Sequence, residues 1–161
     1  ASSGNVSVQL QKLNLNELVQ QAIGEYEDKC QERDIEIRTN LTDENAYIRA
    51  DGKHMWRIAE NVFTNIIKYA MPHTRAYIET SIEDGYALVT MKNISAQALD
   101  ISPEELTQRF VRGEESRTTE GSGLGLSIAE SLTHLQGGKF TIDIDGDLFK
   151  VIVAMPVTVE P

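Results

Sequence analysis

The chain has 161 residues, of which 40% are hydrophobic and 25% are charged, and its formal net charge is −10. These values fit one globular domain that can bury a core without disulfides. They argue against a nucleic-acid or anionic-membrane surface, because both need clustered Lys and Arg. The lone cysteine, Cys30, can build neither a disulfide framework nor a zinc site, and no apolar run reaches the roughly 18 residues of a membrane span.

Residues 1–11 have the composition of a linker or a cloning remnant. From residue 12 onward, the spacing of hydrophobic residues predicts helices and strands. Apolar residues recur every three to four positions in predicted helices and at every second position in predicted strands. Along 12–161 the predicted elements are a strand at 12–14, a helix from an Asn16 cap to about 33, strands at 35–41 and 46–50, a helix from an Asp51 cap to 70, strands at 75–82 and 86–93, a helix at 123–135, and strands at 139–143 and 148–155.

Helices grouped with antiparallel hairpins predict an α+β fold, with a mixed, mostly antiparallel sheet that carries helices on one face. The other face of such a sheet can meet solvent. The first hairpin turns at Asp84-Gly85, because Asp-Gly tolerates positive φ. Residues 94–122 lose periodicity apart from a short helix at 103–110, and so long an irregular stretch inside a compact domain is usually functional or mobile.

The helix that follows Asp51 carries an unusual polar face. Asn61 and Asn65 lie four residues apart and stack on one side, and Lys68 joins them three residues later. Asparagine is a poor helix former, so two of them on an otherwise apolar helix indicate a ligand. A carboxamide oxygen can coordinate Mg²⁺, its NH₂ group can donate to phosphate oxygens, and a lysine can meet phosphate charge. The alternative is a solvated polar face.

A glycine-rich turn precedes the last predicted helix, with glycines at alternate positions: Gly121, Gly123 and Gly125. Glycines let the backbone approach a ligand closely, and a helix N-terminus offers free N–H groups to phosphate. The sequence is neither a P-loop nor a dinucleotide fingerprint, since the lysine and the spacing of the P-loop are missing. The alternative is a flexible turn before a helix.

Two other segments have side chains that suit a nucleotide. Arg109, Arg112 and Arg117 lie in a polar loop of an acidic protein, where arginines can clamp phosphates, and Phe110 is predicted to hold that loop to the body. For any one arginine, a solvated charged loop is an equally good alternative. Asn93 ends a predicted strand, where a polar side chain can read an adenine amino group.

In this order and spacing, the four segments resemble the ATP-binding catalytic domain of sensor histidine kinases, in the superfamily shared with DNA gyrase B, the MutL mismatch-repair proteins and the large heat-shock chaperone. The resemblance covers nearly the whole chain from about residue 12. The family's N box is matched by Asn61, Asn65, Lys68 and Tyr69, and its F box by Phe110. Its G2 box is matched by Gly121, Gly123, Leu124, Gly125 and Leu126. The resemblance implies a Bergerat-type α/β sandwich that holds ATP and Mg²⁺ under a mobile lid at 94–122.

The resemblance also implies residue roles. Asn61 would hold Mg²⁺, Asn65 would contact phosphates, Lys68 would meet phosphate charge, and Tyr69 would lie along the nucleotide. The implied nucleotide-binding set is Asn61, Asn65, Lys68, Tyr69, Asn93, Phe110, Gly121, Gly123, Leu124, Gly125 and Leu126, and the implied catalytic set is Asn61, Lys68 and Arg112.

One stretch departs from the family. Its G1 box reads Asp-x-Gly-x-Gly, with the aspartate accepting a hydrogen bond from the adenine amino group, whereas the matching stretch here is Asn93-Ile94-Ser95-Ala96-Gln97. A neutral acceptor is weaker than a carboxylate, and a turn without glycines is stiffer or differently shaped. Either a variant pocket still binds ATP or the pocket is degenerate, and the intact N and G2 boxes favour the first.

The histidine that the family phosphorylates is not apparent in this sequence. His54, His73 and His134 lack the following acidic residue of the family's phosphoacceptor context. We therefore expect ATP·Mg²⁺ binding and phosphoryl transfer to a histidine on a separate dimerisation domain, with a response regulator as the next partner. The resemblance also implies a cytoplasmic domain of a membrane-anchored bacterial protein. The alternatives are a non-catalytic nucleotide-sensing or interaction module, and a serine kinase of the anti-sigma-factor type.

Overall fold

A computed structural model describes residues 7–97 and 124–158. Its elements are β1 (Gln11–Asn14), α1 (Leu15–Glu32), β2 (Ile35–Asn40), β3 (Tyr47–Ala50), α2 (Gly52–Tyr69), β4 (Thr74–Glu83), β5 (Tyr86–Ile94), α3 (Leu124–Leu135), β6 (Lys139–Asp145) and β7 (Leu148–Pro156). Every helix and strand predicted for the described ranges is confirmed, with bounds that differ by at most two residues. In the same ranges no helix has both the length and the apolar character needed to cross a membrane.

Five strands form one mixed sheet in the order β2-β4-β5-β7-β6. Strand β2 runs parallel to β4, and the other neighbours are antiparallel. The predicted α+β fold with a mixed, mostly antiparallel sheet is therefore confirmed. The spacing did not reveal that β3 leaves this sheet and pairs with β1 in a separate two-stranded sheet.

The core lies between one face of the five-stranded sheet and the helices. Along β5 the alternate side chains of Ala87, Val89 and Met91 are buried, whereas those between them are only partly buried. Helices α1 and α2 meet over this face, where the rings of Tyr26 and Phe63 stack with centroids 5.2 Å apart. Helices thus cover one sheet face, as predicted, and the other face meets solvent.

The two long helices begin at capping residues. Asp51 caps α2 as predicted, and its side chain accepts hydrogen bonds from the backbone N–H groups of Lys53 and His54. The prediction for α1 was wrong, because its cap is Asn14 and not Asn16. The Asn16 side chain instead donates to the Thr42 carbonyl at 2.9 Å and accepts from the Thr80 hydroxyl at 2.7 Å. The two asparagines have equal capping ability, and tertiary contacts therefore determine which of them caps α1.

The first hairpin confirms its predicted turn. Asp84 and Gly85 both have positive φ, 51° and 83°, the pair of values that a tight two-residue hairpin turn requires. The turn fixes the register of β4 against β5, with Glu83 opposite Tyr86 and Ile78 opposite Met91. That register brings Asn93, on β5, to the end of the sheet where α2 also ends.

Candidate functional site

The polar face of α2 lies beside the core and not out in solvent. Asn61 and Asn65 are half-buried, and Lys68 near the end of the helix is exposed. The Nδ2 atom of Asn61 is fully buried and has no hydrogen-bond partner within the described ranges. Leaving a buried amide donor unsatisfied costs about 1–3 kcal/mol, so the side chain is placed to meet a partner beyond the described residues. Beyond it, the Lys68 ammonium lies 5.8 Å from the centre of the Tyr69 ring.

The glycine-turn helix packs directly against this asparagine. A Cβ atom added at Gly125 would lie 3.3 Å from Cβ and 3.4 Å from Cγ of Asn61. Contacts that short are below the optimal separation of two carbons, so a larger residue would require α3 or the Asn61 side chain to shift by a few tenths of an ångström. The structure thus brings together one residue from each of the two motifs that the sequence singled out.

At the other end of α2, Asn93 is 3% exposed. It lies on the helix-covered face of β5, opposite Phe149 of β7. Its Oδ1 atom is buried and accepts no hydrogen bond from any described residue. Asn61 Nδ2 and Asn93 Oδ1 are the buried side-chain nitrogen and oxygen atoms without a partner in the described part of the chain. Both belong to residues predicted to contact a nucleotide.

The segment after Asn93 is tied to the end of α2, a contact that the sequence did not indicate. The backbone N–H of Met71 donates to the Ile94 carbonyl at 2.8 Å, and the N–H of Ala96 donates to the Tyr69 carbonyl at 2.9 Å. Ser95 is buried, and its hydroxyl oxygen accepts from the Gln97 N–H at 3.2 Å. Backbone pairing and a hydroxyl turn therefore hold Asn93 in fixed register with the asparagine-bearing helix.

The start of α2 is anchored to α3 through Asp51. The backbone N–H of Asp51 donates to Gln136 Oε1 at 2.7 Å, and Gln136 in turn donates to the Leu132 carbonyl of α3 at 2.9 Å. The Asp51 carboxylate also accepts the backbone N–H of Gln9 at 2.8 Å. That hydrogen bond from Gln9 is the main reason why the pKa of Asp51 is lowered, burial opposing it and the N–H groups of the helix start assisting it. One residue, Asp51, thus joins the segment before β1 to both helices of the site, to α2 and Gln9 through its carboxylate and to Gln136 through its backbone N–H.

Cys30 and His54, two described residues of types often used in catalysis, have structural surroundings. Cys30 is fully buried, and burial together with the nearby Glu27 raises the pKa of its thiol to about 11. His54 contacts the Ser7 carbonyl at 2.8 Å, which gives it a structural partner. In the described ranges no group of three or more His, Cys, Asp or Glu side chains could hold a metal ion.

Several predicted site residues cannot be placed. Outside the described residues lie Arg109, Phe110, Arg112, Arg117, Gly121 and Gly123, as do the short helix at 103–110 and most of the segment predicted to form a lid. The same holds for the side chain of Leu124. Leu126 is 1% exposed and part of the core, so any contact it makes with a ligand would involve its backbone.

Comparisons with known proteins identify the family of the chain. The family model for histidine kinase-, DNA gyrase B-, and HSP90-like ATPases matches residues 50–158. The chain is 33% identical over 141 residues to the sensor histidine kinase HprS of Escherichia coli (strain K12), a match that covers 88% of this chain and 30% of HprS. The chain therefore spans under a third of the length of that relative.

Solved structures show the same fold. The catalytic domain of histidine kinase ThkA matches with a TM-score of 0.78 at 23% identity, covering 93% of this chain and 97% of that one. ThkA in complex with the response regulator protein TrrA matches with a TM-score of 0.74 at 21% identity, covering 94% of this chain and 42% of that one. The chain belongs to the histidine kinase-, DNA gyrase B-, and HSP90-like ATPase family, and the proteins it resembles there are sensor histidine kinases.

Proposed function

We propose that this domain binds ATP with Mg²⁺ and donates the γ-phosphoryl group to a histidine on a separate helical phosphoacceptor domain, as part of a two-component sensor kinase. The observation that carries the proposal is a pair of buried carboxamide atoms, Asn61 Nδ2 and Asn93 Oδ1, that have no hydrogen-bond partner among the described residues. One is a donor suited to a phosphate oxygen, and the other is an acceptor suited to an adenine amino group. They stand on two elements that are held in register by the pairing at Ser95.

The residues of α2 and α3 fit the phosphate end of the nucleotide. The Asn61 carboxamide has a donor for phosphate, and its Oδ1 can be one of the oxygen ligands of Mg²⁺. A magnesium ion bound largely by nucleotide phosphates and water needs few protein ligands, which suits a site without a carboxylate cluster in the described ranges. When bound, the ion would neutralise charge on the β- and γ-phosphates. Asn65 and the exposed Lys68, further along the same helix, would meet phosphate oxygens.

The G2-box residues would close the phosphate end. Gly125 sets the distance between α3 and Asn61, and the N-terminus of α3 would present backbone N–H groups to phosphate. By resemblance we assign Gly121, Gly123, Leu124 and Leu126 to the same turn, and Phe110 and Arg112 to the segment covering the nucleotide. Arg112 would offset charge on the transferring group.

At the base end, Asn93 would accept the adenine amino group, and Tyr69 would lie along the nucleotide. The nucleophile comes from the partner histidine. This domain therefore contributes positioning and electrostatic stabilisation, which account for most of the catalysis in phosphoryl transfer. The structure of ThkA with TrrA supports a response regulator as the later partner. By resemblance to sensor kinases, we also propose a cytoplasmic location in a membrane-anchored bacterial protein.

The decisive test mixes this domain with the helical phosphoacceptor domain of its own polypeptide, Mg²⁺ and γ-labelled ATP. We expect label on the acceptor domain that is lost in acid and kept in base, as histidine phosphate is. Asn61→Ala should abolish the label, whereas Asn40→Ala, at the exposed end of β2, should not.

Two outcomes would reject the proposal in favour of an alternative. Acid-stable label would indicate a serine kinase. Tight ATP binding without any transfer, when the acceptor domain is folded and dimeric, would indicate a nucleotide-sensing module.

A further inference from the structure

The environment of Asn93 bears on which purine the site accepts. Its side chain is 3% exposed, and its Oδ1 atom has no hydrogen-bond partner among the residues that the structure describes. A buried carboxamide in a protein core normally has its oxygen and nitrogen ends assigned by neighbouring donors and acceptors. At Asn93 no described donor holds the oxygen end in place.

No described residue therefore holds the oxygen end of this carboxamide, so the side chain can turn to present either end to a ligand without breaking a hydrogen bond of Oδ1. The χ2 torsion of asparagine is broad and nearly two-fold, so a half-turn exchanges the oxygen and the nitrogen at almost the same position. With Oδ1 forward the side chain accepts a hydrogen bond, and with Nδ2 forward it donates one. A carboxylate at the same place can only accept while it is ionised.

The backbone around Asn93 does not move with this rotation. Asn93 stands opposite Phe149 in the β5–β7 ladder, and the next residues pair with the end of α2 through the Met71–Ile94 and Ala96–Tyr69 hydrogen bonds. The Cα position is fixed on both sides. The choice between donor and acceptor is thus a side-chain rotation that disrupts no hydrogen bond of Oδ1 to a described residue.

We infer that Asn93 makes this nucleotide site tolerant at position 6 of the purine, so that 6-oxopurine nucleoside triphosphates bind as well as ATP does, within about tenfold. This inference rests on the proposed function. A 6-amino group donates to Asn93 Oδ1, and a 6-oxo group accepts from Asn93 Nδ2. The two substituents are nearly equal in size, so discrimination between them depends on hydrogen-bond polarity. An aspartate would leave two acceptors facing each other with a 6-oxopurine, an arrangement that polar sites reject strongly.

The test is a calorimetric titration of the folded domain with ATP and with inosine triphosphate (ITP), each with Mg²⁺. ITP carries the 6-oxo group without the extra 2-amino group of guanine, so it differs from ATP only at position 6 and in the proton carried by the adjacent N1. For the natural sequence we expect Kd values for ITP and ATP that agree within about tenfold. For Asn93→Asp we expect the ratio to widen to about a hundredfold or more in favour of ATP. Asn40→Asp makes the same chemical change on the exposed end of β2 and should leave the ratio unchanged.

Each failure has a distinct signature. If the natural domain binds ATP but rejects ITP by about a hundredfold or more, the inference about Asn93 is wrong and the proposed function stands. If it binds neither nucleotide, the proposed function itself fails. The ratio for the natural sequence needs no variant, so the test holds even if Asn93→Asp does not fold. An unchanged ratio in a folded Asn93→Asp domain would also overturn the inference.

Discussion

The contact between Gly125 and Asn61 makes a sharp prediction for Gly125→Ala. The new Cβ would lie 3.3 Å from Asn61 Cβ and 3.4 Å from its Cγ, whereas two carbons prefer about 3.5–4.0 Å. Either α3 or the Asn61 side chain must therefore shift by a few tenths of an ångström. Because Asn61 is the proposed Mg²⁺ and phosphate contact, we expect the affinity for Mg·ATP to fall about tenfold, or ~1.4 kcal/mol. Isothermal titration calorimetry measures this directly.

Measuring the free energy of unfolding distinguishes a local effect on nucleotide affinity from a general disruption of the fold. An alanine in a helix interior is better than glycine by about 0.5–1 kcal/mol. This gain is smaller at Gly125, in the first turn of α3, and crowding there offsets part or all of it. Gly24 in α1 is the matched control, because a Cβ added there meets nothing within 4 Å. Gly24→Ala should raise the free energy of unfolding by about 0.5–1 kcal/mol and leave nucleotide affinity unchanged. If Gly125→Ala stabilises as much as Gly24→Ala and binds Mg·ATP normally, the contact does not constrain Asn61 and the reasoning is refuted.

Three further predictions concern stability and reactivity. Gly138→Ala should destabilise the fold by about 3 kcal/mol or more in chemical denaturation, because its Cβ would lie 2.6 Å from the Ala154 carbonyl oxygen, and a melting curve like that of the natural sequence would contradict the packing described. Asp51→Ala should lower the free energy of unfolding by about 1–2 kcal/mol at pH 7. Because the pKa of Asp51 is lowered in the fold, its stabilisation is present above the unfolded value near 4 and is lost as the pH falls through the folded pKa. The difference in unfolding free energy between the two proteins should therefore shrink with acidification, and a pH-independent difference would contradict the prediction. Cys30, with its pKa raised to about 11 by burial, should react with a thiol reagent at pH 8 only as fast as the domain unfolds, and rapid labelling of the folded protein would show that it is accessible.

Periodicity and turn chemistry were enough to predict most of the fold. Apolar alternation located the strands, and Asp84-Gly85 identified a hairpin from local preferences alone. The prediction of the α1 cap was wrong because Asn14 and Asn16 have the same capping ability. The Asn16 side chain bonds instead to Thr42 and Thr80, which are distant in sequence. The pairing of β1 with β3 was not predicted, since spacing within a strand does not identify the strand with which it pairs.

For the candidate site too, sequence reasoning predicted the local features and missed the contacts between distant elements. The helical spacing of Asn61 and Asn65 predicted a shared face, and the glycine pattern predicted close approach at Gly125. Sequence reasoning did not find the pairing of Ala96 with Tyr69 or the bond from Asp51 to Gln136, because both join elements through groups that carry no distinctive pattern. Burial of the Asn93 side chain likewise became visible only when the sheet was assembled.

The central claim, that the domain binds ATP with Mg²⁺ through Asn61, is tested most directly by titrating ATP into the natural domain and into Asn61→Ala, each with Mg²⁺ and with a chelator. We expect the natural domain to bind Mg·ATP with a Kd below about 1 mM and to lose about tenfold or more in affinity with the chelator. In Asn61→Ala that Mg²⁺ dependence should disappear while thermal unfolding stays cooperative. No binding by the natural domain at millimolar Mg·ATP, or Mg²⁺ dependence that survives in Asn61→Ala, would contradict the account.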